Sequence, residues 1–201
     1  MALARPTSGL HMTAEEFLDW AEHNPGSYEF RAGEVVAMSG GSREHEEVAL
    51  RTAAAILAHL GRKAPCRVYA SGLAVHVEAN DRIHYPDVHV TCDVRDHADH
   101  RATRHPTLIV EVLSPSTRDF DQGDKFRSYK LLESLREYLL IDTSEQSVVL
   151  HRRVQGRRWE TDEFGPGEAF RLESIDLTVA VDDLYDGVAV PLPRPRPQLV
   201  E

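Results

Sequence analysis

The sequence lacks most of the features that mark specialised classes of protein. Its 201 residues include two cysteines, and Cys66 and Cys92 match no metal-binding spacing, so we expect neither a zinc site nor a disulfide framework. No apolar run approaches the roughly 18 residues that a membrane-spanning helix needs, and the N-terminal residues lack the apolar core of a signal peptide. We find no internal repeat. These absences predict an ordinary globular protein, with the reducing cytoplasm as its expected location.

Positive charge is also scarce, since the formal net charge is −10 at pH 7. Proteins that hold duplex DNA through many phosphates are usually basic. A nucleic-acid partner would therefore require a local basic surface or a metal ion that offsets the acidic charge. Without either feature, the acidic charge favours a partner other than nucleic acid.

Hydrophobic periodicity predicts an α+β fold with a mixed central β-sheet flanked by helices. The N-terminal part predicts a helix over about 14–23, which begins with a capping box, then a hairpin that turns at Ala32 and Gly33. A longer helix over about 43–60 follows. The rest of the chain predicts mostly strands with one inserted helix, and it includes extra strands at its C-terminal end.

The same pattern gives one domain and two tails. We place the domain at residues 13–188, after an N-terminal tail over 1–12. The C-terminal tail, 189–201, carries prolines at alternate positions, which predicts an extended segment outside the core.

A buried acid stands out in the stretch from Leu108 to Tyr129. The run LIVEVL is apolar except for Glu111, which predicts a strand buried on both faces. A carboxylate inside such a strand is costly to desolvate unless a cation receives it. A turn and an amphipathic helix follow, and Lys125 on that helix is expected to return to the end of the strand that carries Glu111.

A second carboxylate, Asp87, follows Pro86 at the start of another apolar strand. Two carboxylates on neighbouring strands can bind Mg²⁺ together with a backbone carbonyl and water. A bound Mg²⁺ would activate a water for attack on phosphorus, and a nearby lysine would orient that water or stabilise charge on the phosphate. Taken singly, each residue has an ordinary structural explanation.

These residues resemble a known family. Pro86-Asp87 with Glu111 in an apolar strand looks like the PD-(D/E)XK nuclease superfamily. The block EVLSPST, with Asp121, Lys125 and Tyr129 at spacings of four, resembles more closely the Uma-two family of restriction-endonuclease-like proteins. The superfamily places its lysine two residues after the glutamate, where this chain has Leu113. Lys125 on the following helix fills that role in the Uma-two pattern.

The resemblance implies a restriction-endonuclease-like fold and a metal-dependent endonuclease acting on DNA. Asp87 and Glu111 would bind Mg²⁺, which Mn²⁺ could replace, and Lys125 would orient water or phosphate. Glu29 and His45 are accessory candidates for a metal-shell or proton-transfer role, although a helix-terminal histidine more often caps or packs. For Asp121 we expect an i, i+4 ion pair with Lys125.

Two other functions stay open at this point. A catalytically silent module with the nuclease fold could serve nucleic-acid or protein recognition, which the acidic charge favours. A metal-binding β protein built on the loop histidines at 97, 100 and 105 is a weaker alternative, since their spacing matches no zinc site. For a nuclease that cuts both strands, a homodimer is expected.

Overall fold

The computed structural model describes residues 12–24, 26–38, 40–61 and 65–193. Residues 1–11 of the predicted N-terminal tail and residues 194–201 of the proline-rich tail lie outside the described residues.

The described residues form five α-helical segments. Thr13 begins the first helix with the predicted capping box, and Gly61 ends the second with a positive φ of 53°. The segments are α1 (Ala14–His23), α2 (Arg43–Leu60), α3 (Arg118–Phe120), α4 (Phe126–Tyr129) and α5 (Val181–Tyr185). One π-helical turn, Asp121–Lys125, joins α3 to α4, so residues 118–129 form one continuous helical segment that we call the site helix.

Thirteen strands are present among the described residues. They are β1 (Tyr28–Arg31), β2 (Glu34–Ala37), β3 (Arg67–Ala70), β4 (Ala74–Val77), β5 (Arg82–His84), β6 (Val88–Thr91), β7 (Ala102–Thr103), β8 (Pro106–Leu113), β9 (Glu137–Asp142), β10 (Val148–Gln155), β11 (Arg158–Phe164), β12 (Ala169–Leu172) and β13 (Leu177–Ala180).

A six-stranded mixed sheet forms the centre of the molecule, in the order β11-β10-β9-β8-β6-β3. Strands β8 and β9 pair in parallel, with the site helix in the connection between them, and the other neighbours are antiparallel. All but two residues of β8 are apolar, and seven of its eight residues are buried. The predicted strand buried on both faces is therefore confirmed.

Side chains alternate between the two faces of this sheet, and both faces are covered by other parts of the protein. One face packs against α2 and α5, and Val110 and Leu139 belong to this core. The opposite face carries Ile109 and Leu140, which pack with Tyr129 of the site helix. We call this second face the site face.

A second sheet of five strands, in the order β2-β1-β5-β4-β7, holds the N-terminal elements. The predicted hairpin is its β1–β2 pair, and α1 packs on it through Phe17 against Phe30, whose ring centroids are 5.4 Å apart. Strands β12 and β13 form a separate two-stranded sheet. The predicted α+β class, with a mixed central sheet flanked by helices and extra C-terminal strands, is confirmed.

Two sequence expectations differ from the structure. Cys66 and Cys92 form a disulfide, so the expectation of no disulfide was wrong. The cause is the pairing of β3 with β6, since Arg67 lies opposite Thr91 and the adjacent cysteines then face each other. Cysteine usage therefore no longer argues for a reducing compartment. In addition, Val190, which falls in the range assigned to the tail, is buried in the core.

No helix within the described ranges is long and apolar enough to cross a membrane.

Candidate active site

Asp87 and Glu111 lie opposite each other on neighbouring strands. Val88 pairs with Val110 in the antiparallel β6–β8 ladder, so the next position along places Asp87 across from Glu111. Directly opposed residues project from the same face of a sheet. In agreement with this, the backbone N–H of Val112 donates to Oδ2 of Asp87 over 2.7 Å. The strand pairing thus brings together two carboxylates that are 24 positions apart in the sequence.

Lys125 reaches Glu111 from the site helix. Its Nζ lies 2.8 Å from Oε1 of Glu111 and 3.5 Å from Oδ1 of Asp121, so the predicted i, i+4 ion pair is present. A regular helix was expected here, whereas the structure has a π-helical turn from Asp121 to Lys125. Such turns are frequent at functional sites. Asp121 and Lys125, its first and last residues, are both buried.

Glu29 approaches Lys125 from the second sheet. Its Oε1 lies 3.3 Å from Nζ of Lys125 and 3.3 Å from Nδ1 of His84, and its Oε2 accepts a hydrogen bond from Arg31 over 3.1 Å. Behind it, Nε2 of His84 lies 3.2 Å from the hydroxyl of Ser128. The hairpin and the site helix are therefore joined through a buried polar network at the site.

His45 stands at the first turn of α2, beside Asp87. Its Nε2 is 3.3 Å from Oδ2 of Asp87. Burial lowers the pKa of His45, but the hydrogen bond to Asp87 and that residue's charge outweigh it and raise the pKa above its ordinary value. The helix-terminal histidine thus contacts the site, and it does not pack only in the core. We call Glu29, Asp87, Glu111, Asp121 and Lys125 the site cluster.

The site cluster contains more acidic groups than basic ones. Burial raises the pKa of Glu111 well above its usual range, and the charges of Asp121 and Asp87 raise it further, while Lys125 opposes the shift. Burial likewise raises the pKa of Asp121. The surrounding carboxylates outweigh the burial of Lys125 and raise the pKa of its ammonium group, so it stays cationic. Lys125 thus contacts three acidic side chains, Glu29, Glu111 and Asp121.

The cluster borders a cavity of about 450 Å³, and Asp87, Glu111, Asp121, Lys125 and His45 line it. Among the described residues, no group of three or more histidine, cysteine, aspartate or glutamate side chains is arranged to hold a metal ion by itself. A Mg²⁺ ion keeps several waters and binds through one or two carboxylates. The pair of opposed carboxyl groups at the cavity wall fits that kind of ion, and it does not fit a closed cage of protein ligands.

Sequence reasoning missed one residue of this region. His84 is fully buried and bridges Glu29 to Ser128, yet a lone histidine in a short strand gave no distinguishing signal. For Tyr129 the helical spacing predicts packing on the helix face with a satisfied hydroxyl, and this is confirmed, because Tyr129 is buried and its hydroxyl donates to Oε1 of Glu111 over 3.0 Å.

The family described as "Putative restriction endonuclease" (Uma2) matches residues 14–182. The chain belongs to the Uma2 family. The matched range includes every residue of the site cluster, and it agrees with the resemblance drawn from Glu111, Lys125 and Tyr129.

Two Synechocystis sp. proteins are relatives of this Uma2 chain. The chain is 34% identical over 178 residues to the uncharacterised protein slr1290 of Synechocystis sp., which covers 89% of this chain and 93% of that protein. It is 30% identical over 150 residues to the uncharacterised protein sll1609 of the same organism, covering 74% of this chain and 84% of that protein.

A solved structure has a similar fold. It is described as a putative nuclease belonging to DUF820 from Anabaena variabilis, with a TM-score of 0.70 and 20% identity. The superposition covers 87% of this chain and 97% of that one. The Uma2 chain therefore shares the fold of that protein.

Proposed function

We propose that this protein is a Mg²⁺-dependent endonuclease that hydrolyses phosphodiester bonds in DNA. The observation that carries the proposal is the pair of opposed carboxylates, Asp87 and Glu111, at the wall of a cavity where acids outnumber the one lysine. Like charges placed directly across a ladder are destabilising, so the arrangement favours a bound cation. Membership of the Uma2 family and the nuclease fold support the same conclusion.

Each residue then has a defined task. Asp87 and Glu111 would hold the ion through their carboxylate oxygens, and Glu29 and His45 are accessory residues behind them. Mg²⁺, or Mn²⁺ in its place, would lower the pKa of a bound water and offset charge on the phosphate. The ammonium group of Lys125, held by Glu111 at 2.8 Å, would orient the water and stabilise negative charge that develops on the phosphate oxygens.

The test is the variant Glu111→Gln, which keeps the shape of the side chain and removes its charge. We expect loss of Mg²⁺ and Mn²⁺ binding in calorimetric titrations. Cleavage of supercoiled, linear duplex and single-stranded DNA should fall by more than the roughly 10–100-fold typical of outer-shell partners of a metal. Glu160→Gln is the matched control, since Glu160 is a solvent-exposed glutamate of β11 with 59% side-chain exposure.

Wild-type activity in Glu111→Gln would refute the site. A wild-type protein that binds DNA and never cleaves it with either metal would instead support the silent recognition module. The observation that favours this alternative is that Glu111 already has two partners in the protein, Lys125 and Tyr129.

Nucleases that cut both strands of a duplex often pair two sites, so the proposal includes a homodimer. Light scattering of the purified protein, with and without DNA, measures its mass. A strict monomer under both conditions would remove the dimer from the proposal and leave the site unaffected.

A further inference from the structure

The tip of the β10–β11 hairpin is strongly basic in an acidic protein. The seven residues from Arg152 to Arg158 contain four arginines and no acidic residue, whereas the whole chain has a net charge of −10. This stretch supplies the kind of local basic surface that a nucleic-acid partner requires.

The hairpin tip is anchored to the C-terminal end of the site helix. Arg153 donates hydrogen bonds to the carbonyl oxygens of Lys130 and Leu132 over 3.0 and 2.7 Å, and its guanidinium lies 4.8 Å from the ring centroid of Trp159. The ring of Phe126 on the site helix packs edge-on against Trp159 at 5.4 Å. These contacts hold Arg153, and with it the hairpin tip, against the end of the site helix.

Part of this positive charge is uncompensated. Arg152 pairs with Glu137, and Arg158 pairs with Glu160. The exposed side chains of Arg136 and Arg157 have no ion-pair partner in the part of the chain that the structure describes. The backbone N–H of Arg153 donates to the carbonyl oxygen of Arg136 over 2.8 Å. Burial of Arg153 and the charges of Arg136 and Arg157 lower the pKa of Arg153, while Glu133 opposes the shift.

Arg153 projects from the same face of the sheet as Glu111. Tyr138 pairs with Ile109 on one side and with His151 on the other, and Arg153 pairs with Trp159. Since side chains alternate, all of these side chains lie on the site face together with Glu111. The Arg153 row is four residues along and two strands away from Glu111, or roughly 16 Å in the plane of the sheet.

We propose that Lys130, Arg136, Arg153 and Arg157, together with Trp159, form a docking surface for the DNA phosphate backbone. We call this surface the basic tip. The basic tip holds the phosphate backbone on the protein, where the acidic cavity alone would repel it. This inference rests on the proposed function, because it supplies the same substrate.

The test is the double variant Arg136→Glu with Arg157→Glu, which changes two exposed side chains. The probes are a short fluorescein-labelled DNA duplex and the single strand of the same sequence, titrated in EDTA over a range of NaCl concentrations. We expect the Kd to rise about tenfold or more. The slope of log affinity against log salt should shrink by about 0.9 for each lost phosphate contact.

The matched control is Arg67→Glu with Arg171→Glu, which makes the same change in net charge at exposed arginines of β3 and β12. Unchanged binding in the control, with an unchanged unfolding temperature in both variants, supports the basic tip. Equal weakening in both double variants, no effect of the tip variant, or no DNA binding by the wild type would each overturn it.

Cleavage assays separate this inference from the proposed function. If the protein binds DNA through the tip arginines but does not cleave it with Mg²⁺, the nuclease function is refuted and the docking surface is supported. Cleavage that requires Glu111 but does not depend on the tip arginines refutes the docking surface alone.

Discussion

The two ends of the site face differ in charge and in exposure. At one end, the site cluster gathers Glu29, Glu111 and Asp121 around Lys125. The side chains of Glu111, Asp121 and Lys125 are there only 4–5% exposed. At the other end, the basic tip places arginines at the surface, and the Arg158 side chain beside it is 68% exposed. One sheet thus carries a buried acidic region and an exposed basic region.

This difference separates stability from binding. An unpaired charge in a protein interior costs several kcal/mol, whereas an exposed charge costs little. The fold should therefore depend on the pairing within the site cluster, while the basic tip can vary at small cost to stability. A net charge of −10 accordingly does not exclude DNA binding, because the basic tip concentrates positive charge at one end of the site face.

The largest expected effect on stability comes from Lys125→Met. Removal of the ammonium leaves Glu29, Glu111 and Asp121 without their shared cation, and breaking a buried ion pair from one side typically costs about 3–5 kcal/mol. Urea unfolding followed by circular dichroism measures this loss at neutral pH. Added Mg²⁺ should restore part of the stability, since it would replace the missing positive charge.

Lys130→Met is the control for that variant, because Lys130 ends the same helical segment and its Nζ lies 4.5 Å above the Phe126 ring. We expect a loss of at most about 1 kcal/mol there. Equal losses in the two variants would contradict the distinction between buried and exposed charge.

The polar residues of the site were predictable to the extent that they interrupt apolar patterns. Glu111 interrupts a buried strand and Asp87 precedes one, so the amino-acid pattern alone distinguishes both. Lys125 followed from helical spacing. Their convergence depended on the antiparallel β6–β8 pairing, which no local pattern specifies.

The parts that sequence reasoning missed depend on long-range contacts. His84 acquires its role only because β1 pairs with β5, which brings it to Glu29. The disulfide between Cys66 and Cys92 likewise depends on a strand pairing. The π-helical turn was hidden because the spacing of Asp121 and Lys125 suits a regular helix equally well.

An intermediate effect is expected at His84. Its ring contacts Glu29 at 3.3 Å and Ser128 at 3.2 Å, so His84→Leu removes a polar partner from two buried groups. Such losses cost about 1–3 kcal/mol, which urea unfolding resolves. His84→Gln keeps a polar side chain and should recover part of this loss. If the leucine variant were as stable as the wild type, the buried network would contribute nothing to stability.

The smallest effect on stability is expected for Arg157→Ala in the basic tip. Arg157 is exposed at the hairpin turn, and surface substitutions of this kind usually change the free energy of unfolding by no more than about 0.5 kcal/mol. The same variant should weaken binding to the labelled duplex severalfold, because it removes a cation that is not committed to an ion pair. Urea unfolding and fluorescence anisotropy, measured on the same preparation, compare the loss of stability with the loss of DNA binding. A loss of stability above about 1 kcal/mol would show that Arg157 supports the hairpin itself, and the contrast between a structural acidic region and a basic region reserved for binding would then fail at this residue.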